Sequence, residues 1–272
     1  MPIMNLLVAF NGSEASVAAL RYAAALARAR GAHVTALLAH STHAVFDTTS
    51  RWIPKEARAL LAEANSGIVT GIEARFEALR GELDLGAALT FRTHAGRVDA
   101  VLSEAARAYD ALIVGRHMEE DDAHVSHHPD RIALLSGRPV IVVPEGHDVD
   151  ARHSHAALAW DGGRSAARAL SDSLRLLEDQ GRVTVLTVGQ RKEWPPIEDL
   201  LTHLTRHGVE PLHRPFPESE PVTRAILGFC AENDPSLLVM GAYEHSKFRE
   251  DFLGGVTASV LREIRIPVLI SH

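Results

Sequence analysis

The residues best suited to chemistry stand near the end of the chain. Met240-Gly241-Ala242-Tyr243-Glu244 closes an apolar run, and ten residues later Gly254-Gly255-Val256-Thr257 opens a helical stretch. Glycine at a helix start lets a ligand approach the backbone, and the first N–H groups there have no intrahelical acceptor and point at it. That combination suits an anion such as a phosphate; the same glycines also suit a plain tight turn. An acidic residue closes an earlier apolar run as Asp161-Gly162. A second cluster lies in RHMEEDDAHVSHHPDR, where His117, His124, His127 and His128 stand among Glu119, Glu120, Asp121 and Asp122. His124 and His128 are four apart, so a helical turn would put both on one face. With one carboxylate that is a usable zinc arrangement, and His127 is counted with them as a metal candidate. His40 and His43 are weaker candidates for the same crevice. With 16 histidines in the chain, a solvated acidic loop with incidental histidines is the alternative.

Other chemistries find no support. There is no Gly-x-Ser-x-Gly elbow and no phosphate loop of the Gly-x4-Gly-Lys-Ser/Thr type. Cys230 lies inside a helical run, RAILGFCAEN, where a buried structural thiol is expected. Lys247, in His245-Ser246-Lys247, either approaches a phosphate or faces solvent.

The elements that position these groups are written twice. IMNLLVAF (3–10) ends in Asn11-Gly12-Ser13 before an Ala-rich helical stretch; HAALAW (155–160) ends in Asp161-Gly162-Gly163 before another. HVTALLAH (33–40) matches RVTVLTVG (182–189), DALIVG (110–115) matches PSLLVMG (235–241), and RPVIVVP (138–144) matches IPVLISH (266–272). Such repetition marks a tandem duplication. We read domains at 1–146 and 152–272, divided in the polar stretch PEGHDVDARH. Each half alternates strands and helices, with apolar strand runs of the kind covered on both faces. Each should therefore be a five-stranded parallel doubly wound α/β unit of Rossmann or flavodoxin type. Helix faces follow the 3.6-residue period: Val17, Leu20, Ala24 and Ala27; Ala167, Leu170, Leu174 and Leu177; Phe252, Val256, Val260 and Ile264. The last helix of the first half is expected at 129–136, and Pro54 suits the first turn of an earlier one. Both irregular segments, 41–55 and 116–131, hang off carboxyl ends of strands, where such folds place ligands.

Composition narrows the partners. The chain has 272 residues, 28 basic against 35 acidic, for a formal charge of −7. That balance disfavours phosphate-backbone binding, so no nucleic-acid partner is expected. Aromatics at 5% argue against a surface of stacking rings. No apolar run approaches the length of a membrane helix, the single cysteine forms no internal disulfide, and the N-terminus shows no signal core. The expectation is a cytoplasmic protein.

The closing segment VMGAYEHSKFREDFLGGVTASVLREIRIPVLISH resembles the C-terminal signature of the universal stress protein family, and the resemblance extends over nearly the whole chain. Nucleotide-binding members carry Gly, two residues, Gly, nine residues, then Gly-Ser or Gly-Thr. Here the spacing is kept as Gly241, Glu244, Gly254-Gly255, with two departures. The resemblance implies an adenine nucleotide, ATP, ADP or AMP, in the second half. Asp161 would meet the ribose, Met240 and Gly241 would lie against the nucleoside, and Gly254, Gly255 and Val256 would hold phosphates; Gly162, Val188 and Thr257 are counted with them as cofactor-binding residues. Glu244 adds a like charge beside those phosphates and a Cβ where close approach is wanted. The alternative is a solvated Glu244 in a domain that binds adenosine, AMP or nothing. In the first half Asn11 replaces the acidic residue, and no glycine pair precedes the last helix, so its site is expected to be degenerate. The family also implies a regulatory stress-response role, with the final strands of the halves pairing antiparallel as a pseudo-dimer and further association into a dimer of chains. Alternatives are a scaffold without nucleotide, a metal-binding protein using the histidine loop, and a slow ATPase with Asp161 and Glu244 holding Mg²⁺ on the phosphates.

Overall fold

Strands and helices alternate through both halves because apolar runs of four to eight residues are interrupted by amphipathic stretches that begin and end with clear stop signals. In the computed structural model, which describes residues 3–41, 55–116, 124–147, 153–177, 181–189, 195–242 and 255–272, the first half contributes β1 (Asn5–Ala9), α1 (Glu14–Arg30), β2 (His33–His40), α2 (Lys55–Leu83), β3 (Leu89–Ala95), α3 (Val98–Ala106), β4 (Ala111–Gly115), α4 (Pro129–Ser136) and β5 (Val140–Val143). The second contributes β6 (His155–Ala159), α5 (Arg164–Ser173), β7 (Arg182–Val188), α6 (Ile197–Arg206), β8 (Glu210–Phe216), α7 (Val222–Asn233), β9 (Leu237–Gly241), α8 (Val256–Glu263) and β10 (Val268–Ser271).

α1 shows how the signals work. Ser13 caps it, its hydroxyl accepting from the Ser16 N–H at 3.2 Å, and Gly31 ends it in the left-handed conformation at φ +66°. Glu14 in the first turn and Arg28 and Arg30 in the last complement the helix dipole. Val17, Leu20, Ala24 and Ala27 are all buried, as their spacing predicts.

All ten strands form one sheet in the order β3-β2-β1-β4-β5-β10-β9-β6-β7-β8. Within each half the neighbours are parallel. At the centre β5 and β10 run antiparallel, with Val142 opposite Val268, Ile141 opposite Leu269 and Val140 opposite Ile270. The expected pairing of the last strands is therefore present within one chain. It removes two apolar edges that would otherwise be templates for aggregation. At one outer edge, β8 carries Pro211 and Pro215, which cannot donate to a further strand.

The central strands are buried on both faces, and their side chains alternate between two core layers. Leu6, Val8, Ile113, Ile141, Leu158, Val239 and Leu269 share one layer, with α1. Leu7, Leu112, Val114, Val140, Leu238, Val268 and Ile270 share the other, with α3 and α7. Each layer runs through both halves without a break. A polar contact adds to this seam: the buried Tyr22 hydroxyl of α1 meets Nε2 of buried His153, just before β6, at 2.5 Å.

Two helices depart from the predicted faces. α5 ends at Ser173, and its buried residues are Ser165, Ala166, Ala169, Leu170 and Ser173. Ala167 faces solvent, because the close approach of α5 to β9 selects small residues at 165, 166 and 169 for the inner face. In α8, Val260 and Ile264 are buried, but Val256 is 38% exposed at the start of the helix. Phe252, Pro54 and His43 lie outside the described residues. Among the described residues no helix is long and apolar enough to cross a membrane.

Candidate functional site

In each half the strand order reverses between the first and fourth strands, β1/β4 and β6/β9, and the connections there leave on opposite faces. A crevice must open at the carboxyl ends of those strands. In the second half that crevice is a cavity of about 520 Å³, within the usual range for small-molecule sites. Asp161, Val188, Met240, Gly241, Gly255, Val256 and Thr257 all line it. Residues drawn from four separate stretches of sequence are thus brought together. Gly162 sits beside the cavity in the β6–α5 turn at φ +75°. Glu244 and Gly254 lie outside the described residues.

The walls are mainly apolar, from Leu186, Val222, Ile226 and Met240, and the polar character comes from backbone and helix ends. Ser165 and Ala166 present the first turn of α5, Val222 the first residue of α7, and Val256 and Thr257 the first turn of α8. The three N-cap residues are Gly163, Pro221 and Gly255, and none supplies a side-chain capping hydrogen bond. Three helix N-termini, with their partial positive charge, therefore converge on one cavity. Thr257 adds a hydroxyl-bearing side chain that is 5% exposed. Asp161 is the carboxylate among the lining residues; its Oδ1 accepts from the Gly163 N–H at 2.8 Å, holding the β6–α5 turn.

Gly241 has a structural reason that the sequence did not reveal. A Cβ there would stand 2.7 Å from the Ala166 nitrogen and 2.8 Å from the Ser165 carbonyl carbon. Its counterpart Gly115 is tighter still, at 2.5 Å from the Ala15 carbonyl carbon. Both copies therefore need glycine to pack the fourth strand against the first helix, whether or not a ligand is bound. The contributions of α5 and α7 were missed from sequence. A residue-by-residue overlay of the halves carried the signal for α5, since Gly163 replaces the capping Ser13.

The first half treats the corresponding crevice differently. Asn11 takes the place of Asp161, its Oδ1 accepting from the Ser13 N–H at 3.1 Å and from the Ser13 hydroxyl at 2.7 Å. His128 is the N-cap of α4 where Gly255 caps α8, so His127 stands where the second half has Gly254. The His127 ring is 2% exposed, with Nε2 3.3 Å from the Gly115 carbonyl oxygen.

The histidine loop is not the helical turn that the four-residue spacing predicts. Pro129 starts α4 only after both histidines, and His128 is extended at φ −118° and ψ 100°. His124 Nδ1 is 3.1 Å from the Ser41 hydroxyl. His128 donates from its backbone N–H to Asp99 Oδ1 at 2.9 Å and places Nδ1 3.1 Å from Oδ2. With His127 at Gly115, the three imidazoles are directed to three different partners. Among the described residues no three His, Cys, Asp or Glu side chains are grouped to hold a metal ion. His117, Glu119, Glu120, Asp121 and Asp122 lie outside them. Cys230 is buried in α7, where desolvation pushes its thiol up to about 12, consistent with a structural residue.

Comparison with known proteins agrees with this architecture. The sequence profile of the universal stress protein family matches residues 2–144 and 217–272, more than half of the chain. The chain belongs to the universal stress protein family. Universal stress protein Slr1230 of Synechocystis sp. is 30% identical over 174 residues, covering 59% of this chain and 57% of that relative's length. A universal stress protein from Archaeoglobus fulgidus superposes with a TM-score of 0.69 at 16% identity, covering 98% of this chain and 97% of its own. A functionally unknown protein from Pseudomonas aeruginosa PAO1 gives 0.56 at 13% identity, over 99% of this chain and 92% of its own. At those identities the structural likeness speaks for the fold alone, the tandem α/β arrangement that both of these proteins share with this chain over nearly its whole length.

Proposed function

We propose that this universal stress protein binds one adenine nucleotide per chain, in the cavity of its second half, and acts as a nucleotide-responsive regulatory protein. The two units proposed from sequence, 1–146 and 152–272, divide the labour: the second binds and the first supports. The observation that carries this reading is the convergence of three helix N-termini, without side-chain caps, on an apolar cavity at the switch point of the sheet. Apolar walls suit a purine, and the positive ends of three helix dipoles suit the phosphates attached to it. Asp161 stands at the β6 end, where a ribose hydroxyl would meet a carboxylate acceptor.

Isothermal titration of the full chain with ATP, AMP and adenosine, together with native mass spectrometry of the protein as purified, tests the reading. One site per chain with a nucleotide bound more tightly than the nucleoside is the expected result. Val256→Asp places a negative charge at the cavity mouth on an exposed position, and should weaken AMP and ATP by about tenfold or more while sparing adenosine. Absence of binding by all three ligands, with no adenine compound carried through purification, would overturn it.

A further inference from the structure

Two of the helices that begin at the cavity end against side chains from the other half of the chain. Arg116, directly after β4, donates from Nη1 to the carbonyls of Arg262 and Ile264 at the C-terminal end of α8, both at 3.1 Å. Arg30, the last residue of α1, donates from Nη1 to the Arg175 carbonyl at 3.0 Å and from Nη2 to the Leu176 carbonyl at 2.6 Å, in the turn that closes α5. The carbonyls at a helix end lack intrahelical donors and carry the negative pole of the dipole. A guanidinium answers both needs, because its donors are held in a rigid fork and its charge is permanent. α8 has eight residues and α5 has ten. At about 1.5 Å per residue the helices are roughly 12 and 15 Å long, so each guanidinium sits about that far or farther from the helix start at the cavity. That is too far to touch a ligand and close enough to fix the helix that does.

The Arg116 clasp runs one way. Where β4 is followed by Arg116, β9 is followed by Ala242, whose methyl group has no donor to return it.

We propose that Arg30 and Arg116 are positioning residues for the anion end of the second-half cavity, so that the first half is a working part of that site. The proposal rests on the nucleotide reading given above. By pinning the C-terminal ends of α5 and α8, the two guanidinium groups hold the opposite ends in their converging arrangement and complement the dipoles aimed at the phosphate. Their loss weakens ligands that carry phosphate and leaves the purine pocket alone.

The test titrates AMP and adenosine into the full-length wild type, Arg30→Ala, Arg116→Ala, the double variant and Arg116→Lys. Arg21→Ala, which removes only an exposed pair with Glu82, is the control. Each arginine removed should weaken AMP by about two- to fivefold with adenosine unchanged, the range that dipole terms of 0.3–1 kcal/mol convert to. Arg116→Lys should recover part of the loss, the part due to charge, and Arg21→Ala should bind like wild type. Equal losses for AMP and adenosine, or a double variant that binds AMP like wild type, overturn the proposal. If wild type binds neither ligand, the nucleotide reading has failed, and amide hydrogen exchange in the unliganded protein still decides the positioning role. Faster exchange in the first turns of α5 and α8 of the double variant supports it, and unchanged exchange overturns it.

Discussion

Gly241→Ala separates packing from ligand binding as the reason for glycine at the end of β9. The added methyl would lie 2.7 Å from the Ala166 nitrogen and 2.8 Å from both the carbonyl carbon and Cβ of Ser165. Ordinary contact begins near 3.4 Å, so β9 and the start of α5 must part by several tenths of an ångström, and two of the three atoms met are backbone. Overpacking of this kind costs about 1–3 kcal/mol. At about 2–4 °C per kcal/mol for a chain of roughly this size, the melting temperature should fall by about 2–12 °C. Gly115→Ala, at 2.5 Å from Ala15, should fall at least as far, although its half lacks the acidic residue and glycine pair of the proposed site. Gly255→Ala is the counterweight: nothing lies within 4 Å of its added methyl and φ is −73°, so it loses only the N-cap preference for glycine over alanine, about 0.5–1 kcal/mol, and its melting should fall by no more than about 4 °C. Differential scanning calorimetry of the three variants without ligand reads all of this. The reasoning fails if Gly241→Ala melts with wild type while nucleotide binding is lost, or if Gly255→Ala falls as far as the other two.

Tyr22→Phe removes a fully buried hydroxyl that His153 meets at 2.5 Å, and should cost about 1–3 kcal/mol in urea denaturation; a loss under about 0.5 kcal/mol would show that this contact adds nothing to the seam. Cys230 should react with a disulfide reagent at pH 8 only as fast as the protein opens, and rapidly once it is unfolded in guanidinium. Because burial raises its thiol from the ordinary 9.0 to about 12, the neutral form is favoured in the fold, so its contribution is intact below about pH 9 and is lost as pH rises toward 12. Cys230→Ser should flatten the alkaline limb of the stability profile in that window.

The fold was legible because it depends on patterns that survive in a single sequence. Val140–Val143 and Val268–Ser271 read as strands covered on both faces, and as the unprotected edges of two related sheets each had an obvious partner in the other. The last helix of the first half, expected at 129–136, was equally plain. Contacts between distant elements were not legible. Nothing around Ala167 announces that α5 turns 165, 166 and 169 inward, since that choice is made by the closeness of β9. The spacing of His124 and His128 suggested a helix, but Pro129 starts α4 after them, and Asp99, twenty-nine residues upstream of His128, holds that imidazole. Seven of the ten predicted cofactor-site residues line one cavity because backbone positions at strand ends follow from topology. The participation of α7 depends on how that helix leans across the sheet, which no local spacing encodes.

Joining β5 to β10 inside a single polypeptide has a consequence for how this molecule can change over time. In a symmetric pair of separate chains, every substitution appears in both partners, and the pair falls apart on dilution. Here the tether keeps the partner present at any concentration, and each copy mutates alone. One copy has been free to set a buried imidazole at the end of β4 and extend an arginine across the seam, while the other keeps an open cavity.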